Sequence, residues 1–579
     1  MTDRKNLLET VLKKKKADLV LKNARIASIY TGRILEADLA IEKDRIAGFG
    51  NYAGEKEIDL QGAYVLPGLL DAHFHIESSM STPSALSPVL LKHGVTTVIA
   101  DPHEIVNAAG KEGLEFMLKD AAHSGVDYFF MLPSSVPSCD FEVNGQGEFD
   151  AEKMSCFLSD QRVLGLGEVM RMQDVLDGDD RMTEKLSIFE DRIIDGHCPG
   201  LKKEELQAYR AVGIVTDHEA STPEEAIERL DSGFHLLLRQ GSGAKNLEDL
   251  LGGLLKEKVS LEHCSFCTDD KHLEDMEEEG TIDQDIFMAQ QTGAGFMDAL
   301  RMATINTAYL YGLKDRGAIA PGLLADLVII RDPALMDIQA VLKNGRFVWS
   351  RKDSSIPDLP VVEEHSVACQ SEISSSMKNS IHLPALKGEL LASALQKDYG
   401  IELVPHQLLT RLLKGEALLE HCPDSRCNVL LSAERYGKTG EYALCPLVGY
   451  HLHHGAVAMS YAHDAHNVIA ISDSFEDLLL AVNKLQEIQG GIVVVSQGEV
   501  FDALPMEVSG LMSTLPAVEI AEKVRQMKDQ VRKMGVPEGV DPFATLSFLS
   551  LPVIPEARLT PQGLFDTETG TFLVPGKKV

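Results

Sequence analysis

The sequence predicts an α/β protein. Its centre is a (β/α)8 TIM-like barrel, carrying a small composite β-sandwich built from both flanks and followed by a C-terminal α/β domain. Three observations lead there. Between Leu66 and Asp270, eight short apolar runs recur, each ending in polar residues, with stretches of helical pattern between them. The segments on either side of that region alternate like β-meanders, and both contain the tetrapeptide Ala-Asp-Leu-Val, at Ala17 and at Ala325. At 579 residues the chain is also too long for one core, and a further α/β pattern starts near Ile381.

Taken in order, residues 1–66 open on an amphipathic stretch (Leu7, Leu8, Val11, Leu12). The basic block Lys13–Lys16 follows and reads as a solvated helix end. The alternating run from Ala17 then supplies the first part of the sandwich. Residues 67–315 make the barrel. Its strands are read in "LPGLLDAHFHI", "TTVIADPHE", "DYFFMLPSS", "VLGLGEVM", "IIDGHCPG", "GIVTDHEA", "FHLLLRQGS" and "SLEHCSFCTDD". Helices are expected at Lys203–Val212 and Pro223–Ser232, the latter capped by Thr222 with Glu224 and Glu225 in its first turn. Residues 316–361 complete the sandwich, because two separate small sheets would have too little core. The polar, Ser-rich stretch 362–380 is expected to be a linker. Residues 381–579 form the last domain, in which "FEDLLLAVNKLQEIQGGIVVV" is a helix ending at Gly and then a buried strand.

Composition excludes several classes. A formal net charge of −33 argues against a nucleic-acid-binding surface, which needs clustered Lys and Arg. There is no run of eighteen apolar residues to span a membrane, and no apolar segment of signal-peptide type at the N-terminus. Nine scattered cysteines point to a reducing, cytoplasmic setting. Cys264 and Cys267 have Cys-x-x-Cys spacing, but the best second pair, Cys422 with Cys427, is distant and loosely spaced, so bystander thiols are expected in place of a zinc ribbon.

In a barrel of this kind the active site lies at the C-terminal ends of the strands, so the polar ends are read together. The first carries His73 and His75, which share one face of a strand because side chains alternate with period two. Two imidazoles so close repel when protonated and sit well together when neutral around a cation. The second end carries Asp101 and His103, the fourth Glu168, the fifth His197, the sixth Asp217, His218 and Glu219, and the eighth Asp269 and Asp270. Alternation turns Asp270 away from the rim. Leaving this many titratable groups unpaired would be costly, and a metal pair offsets the charge and uses the lone pairs.

The arrangement resembles the amidohydrolase superfamily, and within it the bacterial adenine deaminases. The resemblance rests on "DAHFHIESSM", "TTVIADPHEIVNAAG", "IIDGHCPGL", "GIVTDHEA", "FCTDDKH" and "MATINTA", and continues past the barrel in "AHDAHNVIAISD", "SGLMST" and "TLSFLSLPVIPEARLTPQGLFD". It covers nearly the whole chain, with Glu in "GLGEVM" where many relatives carry a carboxylated Lys. It implies hydrolysis of adenine to hypoxanthine and ammonia, with two divalent metal ions. His73, His75 and Asp269 are expected on one ion, His197 and His218 on the other, with Glu168 bridging. The donors are all N or O, which suits Mn(II), Fe(II) or Zn(II), and the resemblance favours Mn(II) or Fe(II). Two cations sharing a water lower its pKa enough to give hydroxide for attack at C6 of the purine.

Asp269 is the expected proton shuttle and Glu219 the expected acid toward a ring nitrogen; as a plain helix cap, Glu219 would have no such part. Glu77 and His103 are candidates for substrate contact. Asp101 and His103 could instead orient the ligands or hold an extra metal at the mouth. Small-molecule substrate and a homo-oligomer are the expected partners, with no nucleic acid and no membrane. The zinc nucleobase deaminase pattern, His-x-Glu followed by Pro-Cys-x-x-Cys, is absent. One departure stands out: "ERYGKTG" has Tyr436 where the family usually has His. The polar cluster His463, Asp464, His466 and Asn467 reads equally as a hydrogen-bond network or as part of the site. Two other readings share these residues: a binuclear amidohydrolase acting on a different purine or a cyclic amide, and a non-catalytic metal-binding homologue.

Overall fold

The barrel strands run nearly unbroken in apolar residues because both of their faces are covered. In the computed structural model, which describes residues 4–363, 366–396, 398–405, 408–421 and 427–579, they are Leu69–Phe74, Val95–Ala100, Asp127–Leu132, Val163–Val169, Ile193–Gly196, Thr216–Asp217, His235–Arg239 and Cys264–Cys267. Seven fall within the apolar runs read from the sequence, and the second, Val95–Ala100, begins one residue before its run. Strands one to five form one parallel sheet, and strands six to eight another. Two seams close the ring. At one, the Val215 N–H donates to the Ile194 carbonyl at 2.9 Å. At the other, the Asp269 N–H donates to the His73 carbonyl at 2.9 Å and the His75 N–H to the Asp269 carbonyl at 3.2 Å. The second seam thus runs through three residues of the rim.

Helices return the chain between strands. Pro223–Asp231 begins with a reciprocal cap: Thr222 Oγ1 accepts from the Glu225 N–H, and Glu225 Oε2 accepts from the Thr222 N–H. The helix expected from Lys203 ends at Ala211.

The flanks pair with each other. Ala17–Ser28, Arg33–Glu42, Arg45–Phe49, Gly54–Asp59 and Tyr64–Pro67 before the barrel join Leu327–Ile330, Ile338–Lys343 and Arg346–Ser350 after it in one hydrogen-bonded ladder. The join is Leu66 opposite Val328 and Val65 opposite Ile329. Leu21, Ile26, Val65, Leu327 and Ile329 make its core. The N-terminal helix Arg4–Val11 packs Leu7 and Val11 on the opposite face, and the basic block that follows it is anchored by Lys15 on Glu42 at 2.6 Å.

The C-terminal domain is built on a nine-stranded, mostly antiparallel sheet backed by the helix Phe475–Glu487. Its apolar residues Val457, Met459, Ile469 and Ile492 belong to the same buried cluster as the barrel core. The Ser-rich stretch between the two, of which 364 and 365 lie outside the described residues, is tied down on both sides. The Gln370 N–H donates to Ser84 Oγ (3.1 Å) and to Asp120 Oδ1 (3.2 Å) on the barrel, and the Cys369 N–H donates to the Thr514 carbonyl (3.1 Å). Cys264 and Cys267 are buried free thiols on the eighth strand; Cys427 is disulfide-bonded, and Cys422 lies outside the described residues. Among the described residues no helix is long and apolar enough to cross a membrane.

A buried ion cluster also spans the interface. Lys528, on the helix Ala517–Lys533, reaches Glu274 of the barrel at 2.5 Å and Asp541 at 2.6 Å. Burial would raise both carboxyl pKa values, but Lys528 outweighs it and holds them below the ordinary range. A depressed carboxylate pKa stabilises the fold above the unfolded-state value and ceases to do so as pH falls through the native value. Lys528→Met should therefore cost about 3–5 kcal/mol near pH 7. The deficit should shrink as pH is lowered below the unfolded values, 4.5 for Glu and 3.8 for Asp. Denaturant unfolding of both proteins across that range checks this; an equal deficit at all pH values would rule the cluster out as its source.

Candidate metal centre

The rim is assembled one strand end at a time. His75 turns Nδ1 toward the Asp101 carbonyl at 2.9 Å, so Nδ1 carries the proton and Nε2 presents a lone pair inward. His73 Nε2 lies 3.1 Å from His75 Nε2. Asp269 Oδ1 is 3.5 Å from His73 Nε2 and 3.1 Å from His75 Nε2. Glu168 divides its oxygens. Oε1 lies 3.3 Å from His75 Nε2, while Oε2 lies 2.7 Å from His197 Nδ1 and 3.2 Å from His218 Nε2. His73, His75, Glu168, His218 and Asp269 are all buried.

Local backbone explains the aim of these groups. Glu168 ends the fourth strand, and its N–H donates to Asp101 Oδ2 at 2.9 Å. The residue before it must be Gly, because a Cβ at Gly167 would sit 2.1 Å from Asp101 Oδ2. Asp269 has φ +55°, a left-handed conformation that Asp tolerates better than most residues. That breaks strand alternation. Asp270 consequently does not turn away: it accepts a hydrogen bond from Ser78 Oγ, which lies 2.9 Å from Tyr461 Oη of the C-terminal domain. Asp270 is therefore no inert neighbour of Asp269.

The electrostatics favour ionised carboxylates. Burial works to raise the pKa of Glu168, but His197, His218 and His75 outweigh it and hold it well below the ordinary range. Glu219 is governed the same way: burial favours the neutral acid, and Arg239 with His197 and His218 overrides it. Arg239 ends the seventh strand and binds two carboxylates at once. Its Nη1 donates to Glu219 Oε1 and, at 2.9 Å, to Asp269 Oδ2; its Nη2 donates to Glu219 Oε2 at 3.3 Å. No residue of that strand was singled out from the sequence. The arginine closing "FHLLLRQ" was the available signal.

The donors fit two divalent cations. The ligand atoms of His73, His75 and Asp269 lie within 4.8 Å of one another, as do those of His73, Glu168 and His218. The rings of His73 and His218 stack with centroids 4.4 Å apart, so both cannot be imidazolium without strong repulsion. Imidazole nitrogens facing carboxylates, with no thiolate among them, are a donor set for first-row divalent ions.

Residues 64–348 match the amidohydrolase family, and residues 407–571 match the adenine deaminase C-terminal domain. A protein named adenine deaminase from Desulfitobacterium hafniense (strain Y51) is 39% identical over 576 residues, covering 99% of this chain and 99% of that one. The chain belongs to the adenine deaminase family. A relative of the same name from Bacillus subtilis (strain 168) is 37% identical over 572 residues, 97% of this chain and 98% of its own. A solved structure described as an adenine deaminase aligns with a TM-score of 0.46 at 16% identity, over 58% of this chain and 100% of that chain.

In this adenine deaminase family member, the two residues expected at the substrate part company. His103 lies against the centre: its Nδ1 is 3.5 Å from Glu168 Oε1 and 3.6 Å from Asp101 Oδ1. Glu77 instead faces the start of the helix His103–Ala121, where its Oε1 accepts from the Ile105 N–H at 3.0 Å, while Oε2 has no hydrogen-bond partner. Burial pushes its pKa up to about 7. Tyr436 donates from Oη to the Ala465 carbonyl at 2.7 Å and packs beside Arg435, holding the 463–467 segment by its backbone.

Gly167→Ala should displace Asp101 and Glu168 together and weaken metal binding about 10–100-fold, as loss of ligand-orienting partners does. Gly252→Ala is the control, since the added Cβ would meet only Thr292 Cγ2 at 3.6 Å within a helix. Metal analysis after equilibrium dialysis compares them, and equal metal content would show that Gly167 is not required.

Proposed function

We propose that the chain hydrolyses adenine to hypoxanthine and ammonia at a centre for two divalent cations, Mn(II) or Fe(II) in preference to Zn(II). One observation carries the reading. The single carboxylate of Glu168 turns one oxygen toward His75 and the other toward His197 and His218. That supports His73, His75 and Asp269 as the holders of one cation and His197 with His218 as the holders of the other, Glu168 being shared. The name carried by the full-length relatives supports adenine as the substrate. Bound there, such cations supply a water acidic enough to ionise near neutral pH.

The rest is proton traffic through the chain's own residues. Oxygen adds at C6 and the amine leaves, so one proton must reach a ring nitrogen and another must reach the departing nitrogen. Asp269 adjoins both His73 and His75 and serves as the acceptor that hands its proton to the leaving amine. Glu219 starts ionised against Arg239, so it must gain a proton before giving one to the ring. Arg239 fixes the spacing of these two carboxylates and keeps both charged. His103 lines the same mouth and is offered as a purine contact. The seven free thiols among the described residues support a reducing, cytoplasmic setting, and the disulfide at Cys427 counts against it. A homo-oligomer is the proposed assembly, which sedimentation would measure.

The direct test is ammonia release from adenine, guanine and hydantoin after reconstitution with Mn(II) or Fe(II). Adenine should dominate; preference for either of the others would overturn the assignment. Glu168→Gln should lose most metal at the second position and nearly all turnover, because an amide bridges cations poorly; two equivalents bound with intact activity would remove the bridging role.

Asp269→Asn keeps an oxygen donor but cannot cycle a proton, so kcat should fall by at least about three orders of magnitude with a modest change in KM. Arg239→Gln should move the acid limb of the pH–rate profile upward. With the guanidinium gone, one of the groups that oppose burial at Glu219 and Asp269 is lost and only their histidine partners remain, so both pKa values rise and a higher pH is needed to ionise them. An acid limb that stays in place would show that Arg239 does not set their charge.

A further inference from the structure

A second cluster of donors lies beside the rim, and of its members only His103 has been given a role above. The helix that follows the second barrel strand begins His103-Glu104, and the C-terminal domain brings His463 and Asp464 against it from the loop after Gly455–Met459. His103 Nε2 is 3.4 Å from Glu104 Oε1 and 3.8 Å from Asp464 Oδ1. His463 Nδ1 is 3.7 Å from Asp464 Oδ1 and closes on Glu104 Oε1. The ligand atoms of His103, Glu104 and Asp464 lie within 4.8 Å of one another, and His463 Nδ1 approaches both carboxylates.

A fifth residue orients the set. His466 Nδ1 accepts from the Ala462 N–H at 3.2 Å, so the ring proton is on Nε2, which points at Glu104 Oε2. An imidazole N–H facing the outer oxygen of a carboxylate is the usual arrangement around a metal ligand, although here the pair does not reach hydrogen-bond geometry.

Burial makes the cluster costly as it stands. Glu104 is 0% exposed and Asp464 2%. Asp464 Oδ2 has no hydrogen-bond partner, and neither oxygen of Glu104 receives a hydrogen bond of acceptable geometry although the rings of His463 and His466 close on them. Among the described residues, no lysine or arginine pairs with either carboxylate; histidines are their ion-pair partners. Two buried carboxylates in one place demand compensating positive charge.

We propose that His103, Glu104, His463 and Asp464 form a third divalent-cation site, separate from the two-cation centre, which fastens the C-terminal domain to the barrel. A dication balances the two carboxylates and takes up the inward lone pairs. Mixed nitrogen and oxygen donors select a first-row transition ion over Ca(II) or Mg(II), which prefer all-oxygen sets. The site shares no ligand with the first centre. It is nonetheless adjacent to it, because the other nitrogen of His103, Nδ1, faces Glu168 Oε1 at 3.5 Å. An ion on Nε2 would fix the tautomer and orientation of a ring that lines the active-site mouth.

The test uses the full chain reconstituted with Mn(II). Three equivalents should bind per chain, and Asp464→Asn should bind two. An anomalous difference map of the wild-type crystal at the manganese edge should show a peak between Glu104 and Asp464, resolved from those at Glu168. Should the variant fail to fold, the wild-type map decides alone. Peaks at Glu168 with none at Glu104 would overturn the proposal, leaving imidazolium–carboxylate pairs as the charge balance there. A peak at Glu104 without any at Glu168 would sustain it while removing the two-cation reading of the active centre.

Discussion

The mouth of this barrel is organised by the burial of one carboxylate, Glu168, among imidazoles. A carboxylate taken out of water is expensive unless its oxygens find strong partners. Here both oxygens are committed, Oε1 to His75 and Oε2 to His197 and His218. Its main chain is equally fixed: the Glu168 N–H donates to Asp101, and the Glu168 carbonyl accepts from Ser134 Oγ at 2.5 Å. Imidazoles this close cannot all be protonated without repulsion, and cations among the lone pairs would relieve it. The need to balance these charges, more than any single ligand, accounts for the number of polar groups gathered at one end of an otherwise apolar ring.

The barrel beneath is adapted to hold that centre still. Its closure depends on two seams, and a buried aspartate crosses each. Asp71 on the first strand accepts from the N–H and the Oγ of Thr268 beside the eighth, at 3.1 and 2.5 Å. Asp195 on the fifth strand accepts from Thr216 Oγ1 of the sixth at 2.9 Å, and also from Tyr311 Oη. Burial pushes both carboxyl pKa values up to about 7, while the hydroxyl donors pull the other way. Each seam ends at a candidate metal ligand: Asp269 follows Thr268, and His218 lies two places after Thr216. Strand closure and ligand placement are consequently one problem solved by the same hydrogen bonds.

Much of this was legible in the chain because it obeys local rules. The period-two spacing of His73 and His75 put both rings on one face, and the apolar runs with polar ends marked strands buried on both sides. Thr222 with Glu225 spelled a helix start. What could not be read depended on departures from those rules or on distant partners. Asp269 adopts φ +55°, which defeats alternation and brings Asp270 round to Ser78. Arg239 looked like any charged residue at a strand's end; only the fold shows that one guanidinium clamps Glu219 and Asp269. The Ser-rich linker has a disordered composition, yet backbone hydrogen bonds to Ser84, Asp120 and Thr514 fasten it. His463 and His466 reach Glu104 across most of the sequence, a pairing no local pattern encodes.

The C-terminal domain completes the walls around this mouth. It places Tyr461 on Ser78, His463 and His466 on Glu104, and Lys438 and Asn467 on the carbonyls of Asn144 and Val143 at 2.7 and 2.9 Å. Those last contacts grip the loop after the third strand through its backbone, so they constrain its path whatever its side chains. Tyr436 acts in the same way on Ala465. Tyr436 is therefore a wall-supporting contact, with no bond to the candidate metal donors. Neither domain closes the mouth without the other: the barrel contributes the donors, and the second domain shuts off the side where Glu104 and His103 would otherwise meet water. Burial of these side chains is what strengthens the pull of Arg239 and the imidazoles on the carboxylates they face.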